Sequence, residues 1–145
     1  MGRKFHLVGK TEQENVRIDI VEQQLSDLNN IFTNLVYSQG EAYENLNKQY
    51  LTTLPQQLDL LSKFLGDRPY LAGKSITYVD FPAYEWLDKQ LYFSPETVKK
   101  FANLVQYHSR IEQLPTIKKY INSSKFLKWP LNNDQATFGG RFQKP

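Results

Sequence analysis

The sequence predicts an all-α protein, a helical bundle of about five helices. Three observations carry that expectation. Apolar residues recur at steps of three and four over two long stretches, the period of a helix that buries one face. Glycine and proline punctuate the chain where those stretches stop. No segment alternates apolar and polar residues as a half-buried strand does, and no internal repeat is present.

Taken in order, residues 1–10 lead in without a helical period, and Thr11 with Glu14 three places later has the spacing of a capping box. The helix it opens is expected to run to about Tyr37, with Val21, Leu25, Leu28, Phe32 and Leu35 as one stripe. The stretch "SQGE" ends it. A second helix is expected from about Glu41 to Leu65, burying Tyr50, Leu54, Leu58, Leu61 and Leu65. Pro55 inside it predicts a kink or a division, and Gly66 with Pro69 marks its end. In "KSITYVDFPAYEWL" Thr77 stands three residues before Asp80, so a third helix is expected from Thr77 to about Phe93. As N-cap, Thr77 would accept from the Asp80 amide while the Asp80 carboxylate reaches back to the Thr77 amide. Pro82, five positions into that helix, would forfeit a backbone bond and bend it. A fourth helix is expected over about Pro95–Leu114 with a break near Phe101, and a short fifth from Pro115 to about Ser123. The chain thus divides into residues 1–10, a helical domain over 11–124, and an aperiodic stretch over 125–145 expected to pack as an extended tail.

Bulk properties narrow the class. A chain of 145 residues buries roughly 68–70% of its surface when folded, enough for a core. Nine Tyr, nine Phe and two Trp in a 40% hydrophobic composition argue against disorder. With no Cys, disulfide and thiolate chemistry within this sequence are excluded. The opening "MGRKFHLVGK" has no apolar core of a secretory leader, and no run approaches the ~18 apolar residues of a membrane span. A cytoplasmic protein without membrane contact is the expectation. Residues 1–72 carry seven basic and nine acidic groups, and residues 73–145 carry eleven and six. The basic residues are scattered, with no arginine-rich or aromatic-interleaved stripe, so nucleic acid is not an expected partner.

Motifs of self-sufficient catalysis fail on inspection. "LVGKTE" ends like a phosphate-binding loop, yet Lys4 stands where that motif needs its first Gly. His6 and His108 lack a second His or Cys at ligand spacing, so no metal site is expected and no cofactor is implied. Glu12, Glu14, Asp19 and Glu22 read as a solvated helix face. One pattern is less ordinary. Ser26, Asn30, Thr33 and Tyr37 repeat the four-three-four stepping beside the apolar stripe, forming a polar strip that ends in a phenol. Such a strip is either solvent-facing or a cleft wall whose Tyr37 hydroxyl donates a hydrogen bond. Asp27 has no cation at a helical neighbour position, which leaves its charge for water or an outside partner.

"RKFHLVGKTEQENVRIDIVEQQ", "FLGDRPYLAGKSITYVDFPAYEWLD" and "SSKFLKWPLNNDQATFGG" together resemble the C-terminal helical domain of a mu-class glutathione transferase, the tail most like helminth and arthropod members. The resemblance implies a two-domain, homodimeric detoxification enzyme that joins glutathione, as co-substrate, to hydrophobic electrophiles. It implies a structural role for Thr77 and Asp80 at a helix start. By position it matches Tyr37 to a pocket tyrosine that assists addition, and Ser26, Asn30, Thr33, Asn132 and Asn133 to the pocket wall. Asp27 matches a carboxylate that reaches glutathione across the dimer. Nothing in these residues resembles the thioredoxin-like domain that binds glutathione and activates its thiol; "MGRKFHL" resembles the linker after it. The expectation is a chain inactive until such a domain completes it. A free-standing helical interaction module and a carrier of hydrophobic ligands are the alternatives.

Overall fold

The computed structural model describes residues 2–141; Met1 and the last four residues of the expected tail lie outside the described residues. A 3-10 turn, Gly2–Phe5, leads into six α-helices: α1 Glu12–Val36, α2 Gly40–Leu65, α3 Asp80–Phe93, α4 Pro95–Val98, α5 Ala102–Glu112 and α6 Pro115–Ile121. Among the described residues there is no strand.

The two long helices follow the stripes read from the sequence. Thr11 caps α1 by accepting from the Glu14 amide at 3.1 Å. The Glu14 carboxylate returns to the Lys10 amide at 2.6 Å, one residue earlier than a capping box places it. Ile18, Val21, Leu25, Leu28, Phe32, Leu35 and Val36 of α1 are buried against Tyr50, Leu54, Leu58, Leu61 and Leu65 of α2 and the rest of the core. Each such side chain fully buried contributes about 1.5–3 kcal/mol. Pro55 does not divide α2. Pro55 lies on the exposed face, and so does Leu51, whose carbonyl loses its donor; water is at hand there. At the end of α2 Gly66 turns out at φ 56° and donates to the Ser62 carbonyl at 2.9 Å.

The third helix departs from expectation at its start. It begins at Asp80, not Thr77, so Pro82 is its third residue. Amides in the first turn have no carbonyl to bond, and Pro82 therefore costs no helical hydrogen bond. The stretch from Pro95 to Leu114 is broken near Phe101, as its sequence suggests, into α4 and α5, parted where Phe101 takes φ −107° and ψ 81°. Trp86 and Leu87 of α3, Val98 of α4, and Leu104, Tyr107 and Ile111 of α5 complete the core.

Beyond α6 the chain is irregular but folded back on itself. Leu131 and Asn132 donate their amides to the Gly139 carbonyl at 2.9 and 3.0 Å, and Trp129 Nε1 donates to the Gly140 carbonyl at 3.1 Å. The loop so closed inserts Phe138 edge-on against Phe93, ring centroids 4.9 Å apart, with Phe32 at 6.3 Å. Trp129 packs on Tyr92 at 6.1 Å. What the sequence suggests as an extended tail is, through Arg141, a looped clasp on α1 and α3.

Candidate functional site

The polar strip of α1 is intact: Ser26, Asn30, Thr33 and Tyr37 are all exposed. Eleven steps of about 1.5 Å from Ser26 to Tyr37 make it roughly 16 Å long. The helix stays regular there because the neighbouring stripe, Leu25, Leu28, Phe32 and Leu35, is buried and anchors it. Tyr37 is the C-cap residue, its amide donating to the Thr33 carbonyl at 3.1 Å, and it is 39% exposed.

The clasp reaches this helix end on both sides of Tyr37. The Thr137 amide donates to the Val36 carbonyl at 2.7 Å, and the Thr137 hydroxyl donates to the Ser38 carbonyl. The Val36 carbonyl is one of those a helix end leaves without an intrahelical donor, and Ser38 follows just outside the helix. Tyr37 is thus held where the end of α1 meets the clasp.

Asn132 and Asn133 have local duties instead. Asn132 Nδ2 donates to the Phe138 carbonyl at 3.0 Å, tying the clasp shut. Asn133 Oδ1 accepts from the Gln135 amide at 3.0 Å, and the residue lines a shallow depression with Pro130, Asp134, Gln135 and Arg141. At the other end of the strip Ser26 lines a cavity of about 340 Å³ with Leu25, Tyr78, Pro82, Trp86 and Lys89. Asp27, one position further round the helix, accepts a 3.3 Å bond from the neutral amide of Gln23.

Thr77 and Asp80 lie in the interior, 2% and 0% exposed. The Asp80 carboxylate accepts four hydrogen bonds: Leu71 N–H at 3.0 Å, Thr77 N–H at 2.7 Å, Thr77 O–H at 3.1 Å and Tyr107 O–H at 2.8 Å. The reach back to the Thr77 amide is there, but the Thr77 hydroxyl donates to the carboxylate and does not accept from the Asp80 amide. That amide bonds the Thr77 carbonyl at 3.1 Å. Burial beside this carboxylate pushes the Tyr107 hydroxyl far above its ordinary pKa. Asp80 is a hub that ties the loop before α3 to α5, closed to any substrate.

Sequence reading missed two groupings. Tyr78 donates to Glu22 Oε2 at 2.9 Å, so Glu22 is engaged rather than merely solvated. Burial and then the Glu22 carboxylate push the Tyr78 hydroxyl up to about 12. The second joins Asp88, His108 and Glu112 across α3 and α5. The His108–Glu112 spacing of four was its only sequence signal; Asp88, twenty residues away, gives none.

The sequence pattern of the family described as "Glutathione S-transferase, C-terminal domain" matches residues 26–124. Among curated relatives, "Glutathione S-transferase class-mu 26 kDa isozyme 1" of Fasciola hepatica is 42% identical over 137 residues, covering 94% of this chain and 61% of that protein. "Glutathione S-transferase Mu 4" of Rattus norvegicus is 40% identical over 141 residues, covering 97% of this chain and 64% of that protein. The solved structure of the glutathione S-transferase Blo t 8 superposes with a TM-score of 0.86 at 29% identity, covering 95% of this chain and 66% of that one. The chain therefore spans less than two thirds of the length of the curated relatives just described. With the pattern matched across the helical body and mu-class relatives aligned along nearly all of it, the chain belongs to the glutathione S-transferase family and carries that family's C-terminal domain.

Proposed function

We infer that this chain is the electrophile-binding helical part of a glutathione transferase, which conjugates glutathione to hydrophobic electrophiles once a thioredoxin-like domain completes it. The observation that carries the reading is the bracketing of Tyr37 by the two Thr137 hydrogen bonds. A phenol kept at the seam of helix and clasp, and open to solvent, is positioned to donate to an oxyanion that develops on an electrophile during addition. Ser26, Asn30 and Thr33 continue that wall along α1. In this reading the clasp, with Asn132 and Asn133 in it, closes the pocket's end. Asp27 offers its carboxylate to the amino group of glutathione on the partner subunit of a homodimer, working in the cytoplasm.

In this reading the thioredoxin-like domain, not this chain, activates the thiol. A thiol has an ordinary pKa of about 8.5 and needs a donor at sulfur to ionise near neutrality. The buried phenols Tyr50 and Tyr107 are pushed far above their ordinary range, first by burial, and donate to Gln90 and Asp80. They are spent on the core.

The test joins this chain in frame to a mu-type thioredoxin-like domain. Tyr37→Phe is expected to leave substitution of an aromatic halide unchanged while slowing addition to an enone by at least tenfold. Equal loss on both substrates, or none on the enone, would remove Tyr37 from the reaction.

A further inference from the structure

Away from the α1 strip, α3 and α5 bring together three side chains of metal-ligand type. His108 and Glu112 lie four apart on α5 and share a face; Asp88 comes from α3. His108 Nε2 is 3.0 Å from Asp88 Oδ1, and its Nδ1 is 3.9 Å from Glu112 Oε2. The ring is held from one side by Tyr84, stacked at 4.5 Å with the planes 23° apart. The Tyr84 hydroxyl also donates to Glu112 Oε1 at 3.2 Å, orienting that carboxylate. A neutral imidazole donates from one nitrogen and presents a lone pair at the other. Flanked by carboxylates at both nitrogens, it can donate to only one of them, so the other faces a bare ring nitrogen and the pair of negative groups favours a cation there.

We propose that Asp88, His108 and Glu112 bind a divalent transition-metal ion of the zinc type. One ligand atom from each residue lies within 4.8 Å of the other two. Three atoms so spaced share a point within about 2.8 Å of each; shifts of about 0.6–0.8 Å per ligand, with one carboxylate turned toward the single ring nitrogen that takes the ion, give bonds of about 2.0–2.2 Å. The 3.0 Å separation of His108 and Asp88 is already near the roughly 3.3 Å between two ligands of one tetrahedral zinc. The imidazole side chain is 9% exposed while the two carboxylates are 31% and 37% exposed, which gives the ion an entry path and room for a water as fourth ligand. An imidazole nitrogen selects zinc-type ions over magnesium and calcium, which take oxygen ligands. Tyr84 supplies the outer contact that fixes ring and carboxylate. The bound ion would bridge α3 to α5. Nothing here depends on the glutathione reading, because these residues stand apart from the strip.

The experiment titrates Zn²⁺ into the chelator-treated chain by calorimetry, and Co²⁺ in parallel for its visible spectrum. One ion per chain is expected, with a four-coordinate cobalt spectrum. Asp88→Asn, Glu112→Gln and His108→Ala should each weaken binding at least tenfold, and His6→Ala, which alters the only other histidine, should change nothing. The Asn and Gln variants keep volume and hydrogen bonding, so they decide the matter even if His108→Ala unfolds. Unchanged affinity in either of them, equal loss in His6→Ala, or a six-coordinate cobalt spectrum would overturn the site.

Discussion

Replacing Asp80 should damage this domain far more than losing a helix cap does. A surface N-cap removed by alanine costs about 1 kcal/mol. Asp80 is 0% exposed and its carboxylate accepts from two amides and two hydroxyls, so Asp80→Ala strands the Leu71 and Thr77 amides and the Thr77 hydroxyl and leaves Tyr107 only its 3.3 Å bond to the Asp80 carbonyl. Each buried donor left without a partner costs about 1–3 kcal/mol, and local relaxation recovers part of the sum. A net loss of about 3–5 kcal/mol follows, a large share of the roughly 5–15 kcal/mol that holds a domain together. Thr77→Ala removes one hydroxyl bond and should cost only about 1 kcal/mol. Tyr107→Phe should cost about the same in the parent chain and less in Asp80→Ala, where only the 3.3 Å bond to the Asp80 carbonyl is left to lose. Urea denaturation of the four variants, followed by far-UV circular dichroism, measures all of this. If Asp80→Ala costs 1 kcal/mol or less, or if Tyr107→Phe is strictly additive with it, the hub is not what organises the start of α3.

Two further outcomes follow from the same geometry. Tyr78 is held protonated up to about 12 against 10 in an unfolded chain, so the folded form binds the proton more tightly. Its contribution is complete below pH 10 and is lost as pH rises from 10 to 12; Tyr78→Phe should flatten the fall of the urea midpoint across that window, and an unchanged slope would discount the Glu22 contact. In the clasp, Phe138→Ala removes edge-on contacts with Phe93 and Phe32 and should cost about 2 kcal/mol. Limited proteolysis should then cut within residues 125–141 faster while the six helices resist; equal protection would mean the clasp is held by its hydrogen bonds alone.

How much of this was legible in the sequence depends on how local each cause is. The ends of α1 and α2 fall within a residue or two of expectation, since the Thr11 cap, the Gly66 turn and the stripe between them act over three or four residues. The start of α3 was misread because Thr77 and Asp80 look like a surface capping box. What settles their geometry is Tyr107 and Leu71, brought in by tertiary packing. That shift of three residues also turned Pro82 from an expected bend into a harmless first-turn residue. The polar strip was legible as a periodicity, but its neighbour was not. The bonds from Thr137 to Val36 and Ser38 span about a hundred residues and leave no local signature. The Asp88–His108–Glu112 grouping was hidden for the same reason.

The most direct test of the central claim compares glutathione conjugation of an aromatic halide by the chain alone and by its in-frame fusion to a mu-type thioredoxin-like domain. The account predicts turnover by the fusion and a rate no higher than background for the chain alone, since it assigns the exposed Tyr37 to the electrophile and the buried Tyr50 and Tyr107 are committed to core contacts. Turnover by the isolated chain as fast as by the fusion would contradict it, because the thiol activator would then lie among these 145 residues.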